Sequence, residues 1–397
     1  MDIFLRHIES LNEAQGELRR LGVDSAGVGI MAKKMVMRVF ALKGLSVRAA
    51  NILKQECIAV GADLALPKAA SFLEGESTDA VLMASASQLE MLLLNLRAQP
   101  FGLKEVGERL QVLLRAVRDG YEKPQIMAVL NVTPDSFFHS EKVFGEEVIE
   151  RYIAEGADWI DIGAESTGPG SSDVSVEEEL ARLEPVFAVL RSGTFSGRVK
   201  FSIDTWKSEV ARAALDAGCT MVNDVTALRG DSKMAEVVAK MGAGTGGGGL
   251  QPSVALMYAK DPTPRTTRDA VQYDDVMQTI IEFFEEQLRY AEAAGVKREQ
   301  IILDPGMGAF VSGDPKYSFE VLRRLRELKV FGLPILVGPS RKSFIPGKLE
   351  ERQEGGLASA MMAYMHGASI LRMHDVQAAR RTLDMVWGIQ GTGTGGG

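Results

Sequence analysis

The sequence predicts an α/β protein in which a (β/α)8 TIM-type barrel follows a smaller N-terminal α/β domain. The chain has 397 residues, whereas a single hydrophobic core usually stops growing at roughly 250 to 300 residues. From residue 125 onward, eight short apolar runs alternate with helical segments, and polar residues follow most of the runs. Eight such pairs over roughly 265 residues are typical of a (β/α)8 barrel. A doubly wound open sheet is the alternative.

We accordingly predict three segments. Residues 1–121 form the small domain, residues 122–390 form the barrel, and the Gly-rich residues 391–397 form a flexible tail. A second Gly-rich stretch, GAGTGGGG at 242–249, lacks the Lys-Ser/Thr ending of a phosphate-binding P-loop. We therefore interpret it as a flexible connection between a helix and a strand.

Composition and charge argue against several classes of protein. No apolar run approaches the ~18 residues of a membrane span, and the first twenty residues lack the pattern of a secretory signal. We therefore expect a cytoplasmic protein without a membrane partner. The net charge of −8 argues against nucleic-acid binding. Two distant cysteines, Cys57 and Cys219, and four histidines argue against a disulfide framework and against a metal site built from protein ligands alone.

The N-terminal domain is predicted from mixed patterns. Apolar and amphipathic patterns indicate strands at 35–42 and 80–83 and helices at 47–58, 87–98 and 104–118. Its titratable residues form no recognisable constellation. We interpret this domain as a packing or oligomerisation module, and the alternative is a role in covering the substrate.

The barrel strands are predicted from the eight apolar runs. They lie at 126–132, 159–163, 200–204, 221–225, 253–257, 301–305, 334–338 and 368–372. Helical patterns between them include 176–190, 207–217, 274–294 and 317–328. Because the active site of such a barrel lies at the carboxyl ends of the strands, the polar residues that follow the runs should converge there.

Acidic and amide side chains end three of these runs. Asp204, Asn223 and Asp304 each close a segment that otherwise has the composition of a core strand, and a buried carboxylate or amide is costly unless a partner satisfies it. Taken singly, each could cap a helix, Asp204 before TWKSEV in particular. Taken together, they suit a flat heterocycle with adjacent N–H and C=O groups.

Cationic side chains follow the last two strands. Arg341 and Lys342 follow the seventh, and Arg372 and His374 follow the eighth. Barrels often bind phosphate near these loops, where arginine can contact two oxygens at once. For Arg341, a surface salt bridge is the equal alternative.

Two loops could cover such a pocket. DSFF at 135–138 follows the first strand and ESTGPGSS at 165–172 follows the second. The alternative for the second loop is a simple Gly-Pro turn.

These residues resemble those of the dihydropteroate synthase family, in particular the members with an N-terminal extension. The resemblance covers nearly all of residues 125–390. The motifs that carry it, in order, are NVTPDSF at 131–137, DIGAEST at 161–167, SIDT at 202–205, NDV at 223–225, DPGMG at 304–308, SRKSFI at 340–345 and RMHDV at 372–376.

The resemblance implies roles for individual residues. The pterin-binding positions match Asp204, Asn223, Asp304 and Lys342. The positions that bind diphosphate and Mg²⁺ match Asn131, Arg372 and His374. The p-aminobenzoate pocket and the two covering loops match Ser343, Pro169, Thr133, Asp135, Phe137, Ser166 and Thr167. The residues expected to assist the chemistry directly are Asp135, Lys342, Arg372 and His374.

The resemblance also implies the reaction. Diphosphate leaves the methylene carbon of 6-hydroxymethyl-7,8-dihydropterin diphosphate, and the amine of p-aminobenzoate attacks the resulting cation-like carbon. Arg372, His374 and Mg²⁺ would neutralise the leaving group, while Asp135 would face the positive carbon. The family also implies a homodimer.

This chain departs from the family pattern in three loops. Gly168 stands where the family usually has an arginine, Ala309 and Phe310 follow DPGMG where the family has Phe first, and LMYAKD replaces the usual Met-His after the fifth strand. Two rival functions follow: a pterin-binding methyltransferase barrel, which needs no diphosphate cluster, and a non-catalytic pterin-binding relative.

Overall fold

The computed structural model describes residues 3–8, 10–116, 123–132, 141–241 and 251–390. The chain divides into two compact units, one comprising Met1–Gly120 with Val330–Gly332 and the other Tyr121–Lys329 with Leu333–Gly397. Within the described residues, none of the helices combines the length and the apolar character that crossing a bilayer requires.

The N-terminal unit is built on a three-stranded antiparallel sheet with β3 in the centre. Its strands are β1 (Met37–Ser46), β2 (Asp63–Ala65) and β3 (Ser77–Ser85). Its helices are α1 (Leu11–Arg20), α2 (Ser25–Met35), α3 (Val47–Ala59), α4 (Lys68–Ser71), α5 (Ala86–Leu96) and α6 (Leu103–Ala116). The sequence patterns did not predict β2, α1, α2 or α4. β2 and α4 are too short for a pattern to show, with three and four residues.

One face of this sheet packs on helices and forms a core of its own. Along β3 the side chains alternate, so that Leu82 is fully buried while Val81 is 38% exposed. Leu53 of α3 and Leu89 of α5 are fully buried in the same cluster. Ser46 and Ser85 begin α3 and α5 by accepting hydrogen bonds from backbone N–H groups of the first turn.

The second unit is an eight-stranded parallel barrel, as predicted. Its strands are β4 (Gln125–Asn131), β5 (Trp159–Gly163), β6 (Lys200–Asp204), β7 (Met221–Asp224), β8 (Ser253–Met257), β9 (Ile301–Asp304), β10 (Leu336–Val337) and β11 (Ile370–Met373). Their order in the sheet is β10-β11-β4-β5-β6-β7-β8-β9, and a parallel bridge between Leu303 and Ile335 joins the two ends.

Helices alternate with these strands along the chain. They are α7 (Glu141–Ala154), α8 (Val176–Arg191), α9 (Ser208–Ala217), α10 (Met234–Met241), α11 (Val276–Ala293), α12 (Pro315–Arg324), α13 (Gln353–Met365) and α14 (Val376–Ile389). Acceptor side chains mark several starts: Ser175 caps α8, Asp275 caps α11 and Asp375 caps α14. The alternation follows because each parallel strand needs a crossover connection.

A layer of side chains fills the barrel interior. It takes one buried residue from each of seven strands: Met127, Trp159, Met221, Ala255, Ile302, Leu336 and Ile370. The interior is therefore a packed core and not a pore. The space open to a ligand lies beyond this layer, at the carboxyl ends of the strands.

We expect Leu53→Ala to destabilise the N-terminal unit by about 2–5 kcal/mol, because it leaves a cavity in a fully packed core. Amide hydrogen exchange should accelerate in β1 and β3. Leu94→Ala is the matched control, since Leu94 is 60% exposed on α5 and its truncation removes little buried contact. Equal exchange in the two variants would contradict the assigned core.

Candidate active site

A cavity opens at the carboxyl ends of the barrel strands. Asp204 ends β6, Asn223 lies near the end of β7 and Asp304 ends β9. The register of the sheet pairs Asp204 with Asn223 and Met257 with Asp304, which places these ends at one level. The cavity is lined by Thr167, Asp204, Asn223, Val225, Met257, Asp304, Met307, Phe310, Gly338, Lys342 and Arg372.

Arg372 of β11 lies between two carboxylates at the base of this cavity. Its Nε donates to Asp161 Oδ2 at 2.6 Å, and its Nη2 donates to Asp204 Oδ2 at 2.7 Å. Asp161 is fully buried in β5 and also accepts a hydrogen bond from Asn223 Nδ2 at 2.9 Å. These charge-assisted bonds fix the guanidinium and the Asp204 carboxylate with respect to each other.

Asp161 was not among the predicted site residues, although it opens the DIGAEST motif. A signal was present: it is a carboxylate inside the apolar run WIDIG, and such a group needs a partner. Its Oδ1 and Asn223 Oδ1 are buried and have no hydrogen-bond partner within the described residues. These two oxygen atoms at the cavity floor can therefore each accept a further hydrogen bond.

The helix-capping alternative for Asp204 is wrong. The residue that precedes α9 is Lys207, and the first backbone N–H of that helix, on Ser208, donates to Asp231 Oδ2 at 2.9 Å. Asp204 instead pairs with Arg372. Asp304 accepts the backbone N–H of Gly306 at 2.8 Å, within the turn after β9.

Lys342 and Phe310 form one wall of the cavity. The Lys342 Nζ lies 4.8 Å from the centroid of the Phe310 ring, which is within the range of a cation–π contact. Phe310 packs against Val225, Met257 and Ala259. An aromatic wall is thus present although the residue directly after DPGMG is Ala309.

Burial shifts the protonation of the site groups in opposite directions. It raises the pKa of Asp304 to about 6 against the opposing effects of the Gly306 N–H and Lys342. It also raises the pKa of Asp204, although Arg372 opposes this. Burial, with the charge of Arg372, lowers the pKa of Lys342 to about 8. Such opposed shifts in one cleft are typical of a functional site.

His374 differs from the expected cationic role. Burial and the charges of Arg372, Arg341 and Lys342 lower its pKa to about 4, so it is neutral near pH 7. Its Nδ1 lies 3.0 Å from Ser340 Oγ. In the ligand-free protein His374 can therefore donate or accept a hydrogen bond without adding a charge, and the negative charge of a bound diphosphate would raise its pKa.

The remaining predicted residues lie in different settings. Thr167 lines the cavity, whereas Asn131, Ser166 and Ser343 are exposed and Pro169 is partly exposed in the loop after β5. The other three predicted loop residues, Thr133, Asp135 and Phe137, lie outside the described residues.

The magnesium site remains a prediction. No group of three or more His, Cys, Asp or Glu side chains suited to a metal occurs in the parts of the chain that the structure describes. Mg²⁺ commonly takes only one or two protein oxygens and completes its shell with substrate phosphates and water. The exposed amide of Asn131, at the end of β4, fits that pattern.

Comparisons with known proteins place this site in context. The family described as "Pterin binding enzyme" matches residues 127–374, which is more than half of the chain. The chain is 33% identical over 366 residues to the bifunctional dihydropteroate synthase/dihydropteroate reductase of Helicobacter pylori, covering 90% of this chain and 92% of that protein. It is 37% identical over 271 residues to the dihydropteroate synthase of Escherichia coli, covering 66% and 90% respectively.

Solved structures agree with these relatives. The chain resembles the crystal structure of dihydropteroate synthase from Clostridium difficile in the presence of pteroic acid, with a TM-score of 0.59 and 39% identity. The match covers 68% of this chain and 99% of that one.

We expect Asp304→Asn to stabilise the ligand-free protein near neutral pH. Because the pKa of Asp304 is raised in the folded protein, the free energy of unfolding falls as pH rises from the ordinary pKa of 3.8 toward about 6. Asparagine does not titrate and avoids this loss. The melting temperature should therefore exceed that of the wild type by about 2–6 °C near pH 8, with the difference disappearing near pH 4.

Asp314→Asn provides a control of opposite sign. The backbone N–H of Lys316 lowers the pKa of Asp314, whose side chain is 29% exposed, so its contribution is present at neutral pH and is lost as pH falls. A melting temperature for Asp304→Asn that stays below the wild-type value at every pH would contradict the assigned burial cost.

Proposed function

This chain belongs to the dihydropteroate synthases of the pterin-binding enzyme family, and from that membership we propose that its barrel condenses 6-hydroxymethyl-7,8-dihydropterin diphosphate with p-aminobenzoate. The products are 7,8-dihydropteroate and diphosphate, in folate biosynthesis. The observation that carries the proposal is that one cavity brings together Asp204, Asn223, Asp304, Lys342 and Arg372. Acidic, amide and cationic groups thus meet at a single opening.

The floor of the cavity suits the pterin ring. A pterin presents adjacent N–H donors and a C=O acceptor along one edge. The carboxylates of Asp204 and Asp304 and the Asn223 Oδ1 would accept from these donors, and Lys342 would donate to the carbonyl oxygen. The Asn223 Oδ1, which has no hydrogen-bond partner in the described part of the chain, gains one in this arrangement, which removes a desolvation penalty.

The cationic side suits the leaving diphosphate. The C–O bond of the methylene carbon breaks, its electron pair departs with diphosphate, and the amine nitrogen attacks the carbon before losing a proton to solvent. Arg372 would supply positive charge and His374 a hydrogen bond. Mg²⁺, when bound, adds charge neutralisation at the diphosphate, with Asn131 as its protein ligand.

The walls suit p-aminobenzoate. Thr167, Pro169 and Ser166 of the loop after β5, together with Ser343, would face the arylamine, opposite Phe310. Thr133, Asp135 and Phe137 would complete the cover, with Asp135 against the developing positive carbon. No strong general base is needed, because a neutral arylamine already carries its lone pair.

We further propose that the protein works as a homodimer in the cytoplasm. Both statements rest on the family resemblance. Sedimentation velocity of the full chain would test the first.

A second activity is proposed from the relative in Helicobacter pylori, whose name includes dihydropteroate reductase. That match covers 90% of this chain, whereas the match to the Escherichia coli synthase covers 66%. We propose that the extra activity belongs to the N-terminal unit, since this unit lies outside the family match to residues 127–374. Reduction of the N5=C6 bond of 7,8-dihydropteroate would need a hydride donor, such as a reduced nicotinamide or flavin that is oxidised in turn, and a proton from solvent.

We expect Asp204→Ala to weaken binding of the pterin diphosphate by about 1–3 kcal/mol, because a buried hydrogen bond to the ring is lost. Calorimetry without p-aminobenzoate measures this. Asp216→Ala, which changes an exposed aspartate on α9, is the control and should bind like the wild type.

Diphosphate release by the wild type should depend on p-aminobenzoate. Tight pterin binding without such release would indicate the non-catalytic relative instead.

The reductase assignment predicts that the full chain oxidises a reduced nicotinamide, with or without added flavin, only when dihydropteroate is present. Asp204→Ala should retain this activity, since the change lies in the barrel. Absence of oxidation with every donor would refute the reductase and leave the synthase unaffected.

A further inference from the structure

The loop after β5 lacks a cation of its own. Residues 166–172 read STGPGSS, with Gly168 where the resembling family usually has arginine. Thr167 of this loop nevertheless lines the cavity. Within the loop, the backbone N–H and the Oγ of Ser171 both donate to the Gly168 carbonyl oxygen. Further contacts come from other parts of the chain.

Arg265, in the segment after β8, contacts this loop at four points. Its Nε donates to the carbonyl oxygen of Ser171 at 3.2 Å, and its Nη2 donates to that of Ser172 at 2.7 Å. The same guanidinium forms ion pairs with Glu165 and Asp173. One side chain thus contacts both the start and the end of the loop.

Glu165 is itself held from the other side. Its Oε2 lies 2.8 Å from Lys207 Nζ and accepts from Trp206 Nε1 at 3.2 Å. Lys207 also donates to the fully buried Glu179 at 2.6 Å and to the carbonyl oxygen of Val174 at 2.6 Å. Arg265 is therefore tied to a buried ion-pair network, where such contacts are screened little by solvent.

The residue after Arg265 links this loop to the aromatic wall. Thr266 N donates to the Thr167 carbonyl oxygen at 3.4 Å, and its Oγ1 donates to the Ala309 carbonyl oxygen at 2.9 Å. Ala309 precedes Phe310, which also lines the cavity. The segment after β8 is thereby hydrogen-bonded both to the loop after β5 and to the turn that carries Phe310.

We propose that Arg265 is a positioning residue for the condensation: it holds the loop 166–172 where Thr167 lines the cavity, and so sets the affinity for p-aminobenzoate. The inference rests on the proposed synthase function for its substrate. Arg265 does not line the cavity, so its effect is transmitted through the loop. The pterin-facing residues Asp204, Asn223 and Asp304 form no hydrogen bond with Arg265 within the described part of the chain.

Arg265→Ala should raise the KM for p-aminobenzoate by about 5- to 30-fold, with the Kd for pterin diphosphate within about twofold of the wild type. Arg265→Lys keeps one charge near Glu165 but cannot form the forked set of bonds, so its KM should be intermediate. Arg324→Ala is the matched control. Arg324 pairs with Asp275, Glu320 and Glu327 on the outer helices and is 28% exposed, compared with 21% for Arg265.

A second measurement is independent of turnover. Hydrogen exchange of the amides at 166–173 should accelerate in Arg265→Ala and Arg265→Lys but not in Arg324→Ala. Unchanged KM and unchanged exchange in both Arg265 variants would overturn the inference. Absence of arylamine-dependent diphosphate release by the wild type would instead overturn the proposed function, and the exchange measurement would still decide whether Arg265 holds the loop.

Discussion

The site depends on one buried contact, in which the Arg372 guanidinium lies between the carboxylates of Asp161 and Asp204. This contact joins β11 to β5 and β6 across the top of the packed interior layer. An unpaired charge at this depth would cost several kcal/mol. The three groups are therefore tolerated only together, and together they fix the floor on which a flat ring can rest.

Such a floor carries a cost that a ligand can offset. Burial raises the pKa of Asp204 and Asp304 and lowers that of Lys342. In each case burial disfavours the charged form of the side chain. Buried acceptor atoms of Asp161 and Asn223 also lack partners within the described residues. A ligand that donates N–H groups to the carboxylates and accepts from Lys342 relieves these penalties. The unsatisfied groups lower the stability of the ligand-free protein, and satisfying them contributes to the free energy of ligand binding.

The walls of the site are assembled differently from the floor. The floor is formed by strand ends, which the register of the sheet fixes. The walls are formed by loops after β5 and β9, and the segment after β8 joins them through Arg265 and Thr266. This division allows the loops to vary, as they do at Gly168 and Ala309, while the pterin-facing residues stay on rigid elements.

The sequence alone determined the barrel, because eight apolar runs with polar ends are local patterns that any strand–helix repeat must show. It also identified Asp204, Asn223, Asp304, Lys342 and Arg372, since polar groups at strand ends meet at one opening whatever the details. Only the tertiary structure decided that Asp204 pairs with Arg372 instead of capping a helix. It also decided that Asp161 belongs to the site and that Phe310 completes the wall. Finally, it showed that Arg265 contacts a loop about 94 residues earlier in the chain. These contacts join residues distant in sequence, and periodicity contains no information about which side chains meet across a closed barrel.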